Sequence, residues 1–429
     1  MNLVTVPQLD IFQPPAIQTS VSSGYYTTFH SLTSLEGSNA PVEFFVPSSI
    51  DSDYIDLNAT QLLINCKIVD KAGADLAEKH KGDYVVVAPI NNFAHSIWEE
   101  VQLYLNGVLV TGQGYPYRAL IDNVISMSHS AKTGSMSKIL YAEDTPGHME
   151  SHKFKENIGL KTRIEDILTG YNLLARPHID LCHQDRFLIP GVSLRFKFLR
   201  SKDDFALTAP AANIGHKIKI TDAKLYIRHV SVSQDVRLAQ AKALLKGPVL
   251  YPIQRVNIKW FTIGQGIMKG NIPSVITGQL PSRIILGFVE NSSLNGQLDK
   301  NPYNFLLENL SELSLSVNQH IIPAQPFSPQ QDGAIRMYQT LFANQSTSNE
   351  NGITLQQYKN GYSLVIFNLR GEVEESGQGV FESARVGDIT LNFAFSTATT
   401  KVLSAVFYCE YQNIISVSNQ YQVTKDYAN

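Results

Sequence analysis

The strongest constraint on the fold is a series of strand-like segments that occurs twice, in the same order, along the 429 residues. Each copy has an alternating apolar and polar segment, a short helical pattern and two further strand-like segments. The three matched pairs are residues 101–105 (VQLYL) with 313–317 (LSLSV), 191–200 (GVSLRFKFLR) with 361–370 (GYSLVIFNLR), and 223–226 (AKLY) with 405–408 (AVFY). Because the order is kept while the connections differ in length, the chain is predicted to contain two copies of one domain.

Both copies are predicted to consist almost entirely of β-strands. Residues 101–105, 194–198 and 313–317 alternate with period two, which indicates strands with one buried face. The apolar segment 284–289 (IILGFV) instead indicates a strand buried on both faces. Asn-Gly and Pro-Gly turns separate such segments, as expected for antiparallel strands.

Helical patterns are few and short. Residues 117–126 and 334–342 place apolar side chains at helical spacing. Residues 236–246 are rich in helix formers and are followed by Gly247 and Pro248, which favour the end of a helix. This third helix lies just past the middle of the chain and is predicted to connect the two β domains.

Two all-β domains of about 200 residues favour jelly rolls. An immunoglobulin sandwich has ~100 residues and a Cys…Trp…Cys pattern that is absent, and a propeller repeats every ~40–50 residues. The predicted fold class is all-β, a double jelly roll of two eight-stranded antiparallel β-sandwich domains side by side, with few short helices. The predicted parts are an extended N-terminal arm at 1–20, a first jelly roll at 21–234 with an inserted loop at about 132–177, a helical connector at 235–248, a second jelly roll at 249–420 and a C-terminal tail at 421–429.

Composition and charge exclude several classes of protein. A hydrophobic fraction of 43% excludes disorder. The 35 basic and 38 acidic residues give a net charge of −3, whereas a protein that coats nucleic acid usually has a basic excess. No run approaches the ~18 apolar residues of a membrane-spanning helix, and the first residues lack a signal-peptide pattern. We therefore expect no membrane-spanning segment, no secretion and no glycosylation.

The sequence lacks the motifs of common catalytic and metal sites. Residues 264–270 (GQGIMKG) lack the Gly-Lys-Ser/Thr ending of a phosphate-binding loop, and no Gly-x-Ser-x-Gly occurs. His148 and His152 would share one face of a strand, but their place in the inserted loop favours a solvated loop over a zinc site. Cys182 and His183 are adjacent and would point in opposite directions on a strand, so they form no dyad. We therefore expect no catalytic residue, no cofactor and no metal.

Short motifs along nearly the whole chain carry a family resemblance. They include, in chain order, residues 42–47 (VEFFVP), 54–57 (YIDL), 89–96 (PINNFAHS), 103–107 (LYLNG), 115–118 (YPYR), 144–147 (DTPG), 184–186 (QDR), 222–228 (DAKLYIR), 278–281 (GQLP), 301–305 (NPYNF) and 361–364 (GYSL). In this order they resemble the hexon-like, double jelly-roll major capsid proteins of Polinton/Maverick elements and adintoviruses.

The resemblance implies a structural protein and not an enzyme. Such chains form homotrimers, which are pseudo-hexameric capsomers that self-assemble into an icosahedral shell enclosing double-stranded DNA. The implied partners are neighbouring capsomers and a penton or minor capsid protein, without strong DNA binding evident in the sequence. The implied location is the capsid shell of the virion, after synthesis inside the host cell. The inserted loop then becomes a candidate tower or trimer clamp, and residues 1–20 a candidate arm toward a neighbouring subunit.

The resemblance also marks a set of structural motif positions. They are Asn92, Gly107, Tyr117, Arg118, Asp144, Pro146, Gly147, Asp185, Arg186, Gly191, Arg200, Tyr226, Pro281, Pro302 and Gly361. Two alternatives remain open: a jelly-roll module that binds carbohydrate or a receptor, and a penton (vertex) capsid protein. Exposed aromatic clusters or acidic calcium-type loops would favour the first, and a single jelly roll per chain is typical of the second.

Overall fold

The computed structural model describes residues 17–35, 40–48, 53–210, 215–342, 351–369 and 383–427. The strands of this part of the chain are β1 (Val21–His30), β2 (Val42–Val46), β3 (Tyr54–Val69), β4 (His80–Lys81), β5 (Tyr84–Val85), β6 (Ala88–Pro89), β7 (Trp98–Leu105), β8 (Val108–Leu109), β9 (Tyr171–Ala175), β10 (Leu194–Arg200), β11 (Leu207–Thr208), β12 (Lys217–Val232), β13 (Val249–Ile263), β14 (Lys269–Gln279), β15 (Arg283–Glu290), β16 (Leu310–Val317), β17 (His320–Phe327), β18 (Leu364–Asn368), β19 (Val386–Phe395), β20 (Leu403–Val417) and β21 (Val423–Lys425).

Short helices connect these strands. The α-helices of the described residues are α1 (Phe93–Ser96), α2 (Tyr115–Ser126), α3 (His129–Thr133), α4 (Ile158–Arg163), α5 (Asp203–Ala206), α6 (Gln234–Leu244), α7 (Asn291–Leu294), α8 (Ile335–Gln339) and α9 (Leu355–Lys359). Further 3₁₀ helices cover Ser135–Ile139, Asp180–His183 and Thr340–Phe342. Within the described ranges, no helix has the length and apolar character needed to cross a membrane.

Both halves of the chain form the same antiparallel sandwich. The first sandwich has sheets in the order β1-β12-β3-β9 and β2-β10-β7-β8, and the second has β13-β20-β15-β18 and β14-β19-β16-β17. If only the eight strands of these two sheets are numbered along each half, which leaves out β4, β5, β6 and β11, both sandwiches have the strand orders 1-8-3-6 and 2-7-4-5. This is the jelly-roll order. The predicted fold class, an all-β double jelly roll, is therefore confirmed.

The strand order corrects one of the three matches between the halves. β7 and β16 are equivalent fourth strands and β12 and β20 are equivalent eighth strands, in agreement with the first and third matches. The segment 191–200 contains β10, a seventh strand, whereas 361–370 contains β18, a sixth strand. The central match was wrong because two strands that each follow a glycine share the same alternation without being equivalent.

The strand order also changes the bounds of the inserted loop that was predicted at about 132–177. That range contains β9, which pairs with β3 and is the equivalent of β18. The first sandwich does have the longer connection between its fifth and sixth strands, since residues 110–170 take the place of residues 328–363 in the second. The additional length therefore precedes β9 and does not include it.

Alternating burial explains why these segments form sandwich strands. In β12 buried residues alternate with more exposed ones, so one face points into the first sandwich. β15 is buried at every position from 284 to 289, which confirms the predicted two-sided burial. β20 is buried throughout residues 403–411. Since β15 and β20 are neighbours in one sheet, that sheet must be covered on its outer face as well.

The structure describes part of the predicted N-terminal arm, the helical connector and the C-terminal tail. α6 corresponds to the predicted connector at 235–248, and none of its residues is buried. Residues 17–20 of the predicted arm are exposed, and residues 1–16 lie outside the described part of the chain. The predicted tail at 421–429 contains β21, which pairs with β20 and extends the second sandwich.

Candidate functional site at the junction of the two sandwiches

The outer face of the sheet β13-β20-β15-β18 is covered by the first sandwich. We call this contact the junction; it comprises residues 106–192 on the first side and, on the second side, that sheet, residues 298–306, 351–362 and 421–427. Gly114, at the start of α2, lies so close to β13 that an added Cβ would be 2.5 Å from the Cβ of Ile258. The backbone N–H of Val256 donates to Asp180 Oδ1 across the same contact, at 3.0 Å. The hydrophobic core is continuous through this region.

A buried carboxylate accepts hydrogen bonds from three side chains at the junction. Asp144 Oδ1 accepts from Arg163 Nη2 at 2.6 Å and from Asn157 Nδ2 at 2.9 Å, both within the first sandwich. Asp144 Oδ2 accepts from Asn301 Nδ2 of the second sandwich at 2.9 Å. The side chains of Asp144 and Arg163 are each 1% exposed. Ionised groups at this depth require such pairing, so the network joins the two sandwiches at one defined position.

Tyrosine hydroxyls make a second polar connection. The hydroxyl of Tyr117, on α2, donates to the carbonyl oxygen of Pro302 at 2.9 Å. The hydroxyl of Tyr303 lies 2.6 Å from the hydroxyl of Ser96, on α1. The two tyrosine rings meet edge to face, with centroids 5.8 Å apart. The NPYNF motif therefore inserts into the first sandwich between α1 and α2.

A buried ion pair lies in the same first turn of α2, next to Tyr117. Arg118 Nη2 is 2.7 Å from Asp180 Oδ1, and that oxygen also accepts the N–H of Val256. Burial alone would lower the pKa of the Arg118 guanidinium, but the nearby Asp180 carboxylate raises it. The guanidinium therefore stays charged, and the pair fixes α2 relative to β13.

Two glycines allow close approach at the junction. Gly361 has φ +129°, and an added Cβ would lie 1.9 Å from Met149 Sδ. Gly191 has φ +89°, and its added Cβ would lie 2.5 Å from the ring of Tyr421. Any side chain at either position would both clash and adopt an unfavourable backbone conformation.

The C-terminal segment binds back to the first sandwich. Tyr427 donates through its hydroxyl to the carbonyl of Val110 at 3.0 Å, and Lys425 Nζ donates to the carbonyl of Leu109 at 3.2 Å. Asn106 Nδ2 donates to the carbonyl oxygen of Tyr421 at 2.9 Å. The segment 421–427 is thus part of the junction.

The structure brings together many of the motif positions that the resemblance marked. Besides Tyr117, Arg118, Asp144, Gly191, Pro302 and Gly361, the junction includes Gly147, whose N–H donates to the Asn360 carbonyl at 2.8 Å, and Arg186, whose Nη1 donates to the Leu250 carbonyl at 2.7 Å. Pro146 lies in the turn that precedes Gly147. Asn92 caps α1 and accepts from Asn123 Nδ2 of α2 at 3.1 Å, directly behind the contact.

The remaining motif positions lie elsewhere. Gly107 has φ +84° in the turn between β7 and β8. Asp185 accepts from Asn58 Nδ2 at 3.2 Å, and Arg200 donates to the Ile218 carbonyl at 2.9 Å, both within the first sandwich. Tyr226 is in the middle of β12, and Pro281 lies between β14 and β15. Within the described part of the chain, none of these five residues makes a hydrogen bond from one sandwich to the other.

The structure corrects one expectation for residues 132–177. The segment with His148 and His152 is only partly solvated: His148 is exposed, but Met149 and His152 are buried and His152 Nε2 lies 2.8 Å from Thr208 Oγ1. The connection that precedes β9 contributes Asp144 and Arg163 to the junction, and its role as a tower or trimer clamp stays a prediction. The sequence could not show this because buried polar residues in a connection look like solvated ones.

Cys182 and His183 lie in the 3₁₀ helix Asp180–His183 and not on the strand that was expected from the sequence. Cys182 is fully buried, and burial raises the pKa of its thiol to about 12, so it is a poor nucleophile at neutral pH. His183 Nδ1 instead lies 2.8 Å from Arg176 Nη2.

The arrangement of the junction is suited to holding two sandwiches in a fixed relative orientation.

Sequence comparison finds no family match but does find a similar protein. No protein-family model matches the sequence. An uncharacterized protein of Caenorhabditis elegans is 23% identical over 420 residues, covering 94% of this chain and 97% of that protein.

Solved structures with the same fold cover almost the entire chain. A chain of the Sputnik virophage aligns with TM-score 0.66 and 13% identity, over 100% of this chain and 94% of that one. A capsid chain of the virus PBCV-1 aligns with TM-score 0.62 and 10% identity, over 97% and 100%. The major capsid protein of mavirus aligns with TM-score 0.51 and 9% identity, over 99% and 95%. At these identities the likeness establishes the fold, a double jelly roll in one chain.

Proposed function

We propose that this chain is a major capsid protein that forms homotrimeric, pseudo-hexameric capsomers. The observation that carries the proposal is the combination of two jelly rolls in one chain with a likeness to viral capsid chains over 94% or more of both partners. Because each chain contributes two similar sandwiches side by side, three chains together provide six similar lobes. A hexagonal unit of this kind tiles a closed shell without six separate subunits.

The junction supports this function physically. A lobe can occupy a fixed place in a hexagonal unit only if it cannot rotate against its partner lobe. The buried Asp144 network, the Arg118–Asp180 pair and the inserted NPYNF motif prevent such rotation. A chain with this role acts through assembly and not through turnover, and its proposed location is the capsid shell of a virion that encloses double-stranded DNA.

The finer parts of the proposal follow from the resemblance in the motifs. We assign the chain to the Polinton/Maverick and adintovirus type, which is consistent with the fold likeness to the major capsid protein of mavirus. Its partners would be neighbouring capsomers and a penton or minor capsid protein. A penton role for this chain is disfavoured because both sandwiches are complete within it.

Light scattering of the purified, tag-free chain tests the proposal. The expected species has three times the chain mass of 47.6 kDa, with larger assemblies as salt and pH are varied. A single chain that stays monomeric under all these conditions would contradict the proposal and favour a jelly-roll binding module. A pentamer would indicate a vertex protein.

A further inference from the structure

Three imidazoles and a carboxylate meet at the edge of the junction. Asp122 lies on α2, while His178 and His183 lie just before and at the end of the 3₁₀ helix Asp180–His183. Metal-binding atoms of these three side chains all lie within 4.8 Å of one another. His95, on α1, lies behind them, with its ring centroid 4.7 Å from that of His178. Residues far apart in sequence thus form one compact set of nitrogen and oxygen donors.

Hydrogen bonds hold the two inner rings in place. His178 Nδ1 lies 2.8 Å from Asp122 Oδ2. Tyr115 accepts the backbone N–H of His178 at 3.3 Å, and its hydroxyl lies 2.9 Å from His95 Nδ1. His178 is buried and His183 is exposed, so the cluster is fixed on its inner side and reachable from solvent on its outer side.

We propose that Asp122, His178 and His183 bind a divalent transition-metal ion. Zn²⁺ suits this set because two imidazoles and one carboxylate are established zinc ligands, with water in the fourth position. The metal would replace the proton shared by His178 and Asp122. It would also displace Arg176, whose Nη2 lies 2.8 Å from His183 Nδ1.

A bound ion would connect α2 directly to the 3₁₀ helix Asp180–His183. The same two elements are already joined by the Arg118–Asp180 pair, so the ion would reinforce the first sandwich where it contacts β13. The sequence predicted no metal site, because Asp122 is more than fifty residues from His178 and His183 and the three residues form no local motif.

Titration of the full chain with ZnCl₂ tests the site. The protein is purified without a histidine tag, dialysed against EDTA and examined by isothermal titration calorimetry at pH 7.5. We expect one saturable site per chain, about tenfold or more weaker in both His183→Ala and Asp122→Asn. The control is His320→Ala, an exposed histidine of β17 in the second sandwich, which leaves the affinity unchanged. Arg176→Met is expected to bind Zn²⁺ more tightly, because it removes the competing cation.

Cobalt spectroscopy distinguishes loss of the site from loss of the fold. Co²⁺ bound in a tetrahedral site gives visible absorption bands, which we expect in wild type and His320→Ala but not in His183→Ala. Because His183 is exposed, His183→Ala should retain the wild-type circular dichroism spectrum. Absence of saturable Zn²⁺ binding, or equal affinity of His183→Ala and His320→Ala, would overturn the proposal. Neither result bears on trimer formation, which light scattering measures separately.

Discussion

The buried carboxylate of Asp144 offers the sharpest perturbation of the junction. In Asp144→Asn the shape of the side chain is kept, but the charge that balances Arg163 is lost. The new NH2 group takes the place of one carboxylate oxygen, so it faces either the donor Asn301 or the donors Asn157 and Arg163. The substitution therefore leaves the buried guanidinium of Arg163 without its charge partner and places two hydrogen-bond donors opposite each other.

The expected effect follows from the depth of the pair. Both side chains are 1% exposed, and removal of one partner from a buried ion pair lowers the free energy of unfolding by about 3–5 kcal/mol. Arg163 keeps its bonds to the carbonyls of Pro89 and Ala142, which places the expectation at the lower end of this range. The matched control is Glu43→Gln, which breaks a pair with Arg195, whose side chain is 54% exposed. That loss is expected to be much smaller, because solvent screens an exposed pair.

Urea unfolding followed by tryptophan fluorescence measures both effects. Trp98 lies in the first sandwich and Trp260 in the second, so Trp260→Phe and Trp98→Phe backgrounds report on each sandwich separately. Because Asp144 bonds to both sandwiches, we expect Asp144→Asn to shift the transition of both reporters. A shift no larger than that of Glu43→Gln, or one confined to a single reporter, would refute the role assigned to this network.

Three further substitutions test other features of the fold. Gly159→Ala should destabilise the protein by about 1–3 kcal/mol in thermal unfolding, because its Cβ would lie 2.1 Å from a backbone carbonyl, whereas Gly247→Ala, with open space around it, should have an effect within about 1 kcal/mol. Equal effects of the two would contradict the close approach of Gly159, on α4, to the backbone of Glu143. Tyr303→Phe should lower stability by about 1 kcal/mol through loss of the bond to Ser96, and an unchanged urea midpoint would show that this bond is dispensable. Burial lowers the pKa of His152, so the folded state binds fewer protons than the unfolded state and stability falls as the pH drops below about 6.5. His152→Gln should therefore lose less thermal stability than wild type between pH 7 and pH 5, and an identical loss would contradict this assignment.

The alternation of apolar and polar residues was sufficient to predict the class of fold. Periodicity locates strands such as β7, β12 and β16, and their repetition indicates two similar domains. It cannot identify which strand of a jelly roll a segment forms, because every half-buried strand has the same period. For that reason a sixth strand, β18, was matched with a seventh, β10.

The junction was less accessible to sequence analysis. Motif positions such as Tyr117 and Asp144 could be marked individually, but their partners could not be assigned. Asp144 meets Asn301 across 157 residues, and such pairs become neighbours only once both sandwiches are formed. A polar residue that is buried by a distant partner has no local signature, so the connection before β9 was taken for a solvated loop.

Electron microscopy of the purified chain tests the central claim most directly. Two rigidly joined jelly rolls per chain predict class averages with a hexagonal outline, made of six similar lobes from three chains. The same images of Asp144→Asn should show fewer such particles than those of Glu43→Gln. Particles with two lobes that never associate, or rings with five-fold symmetry, would contradict the account.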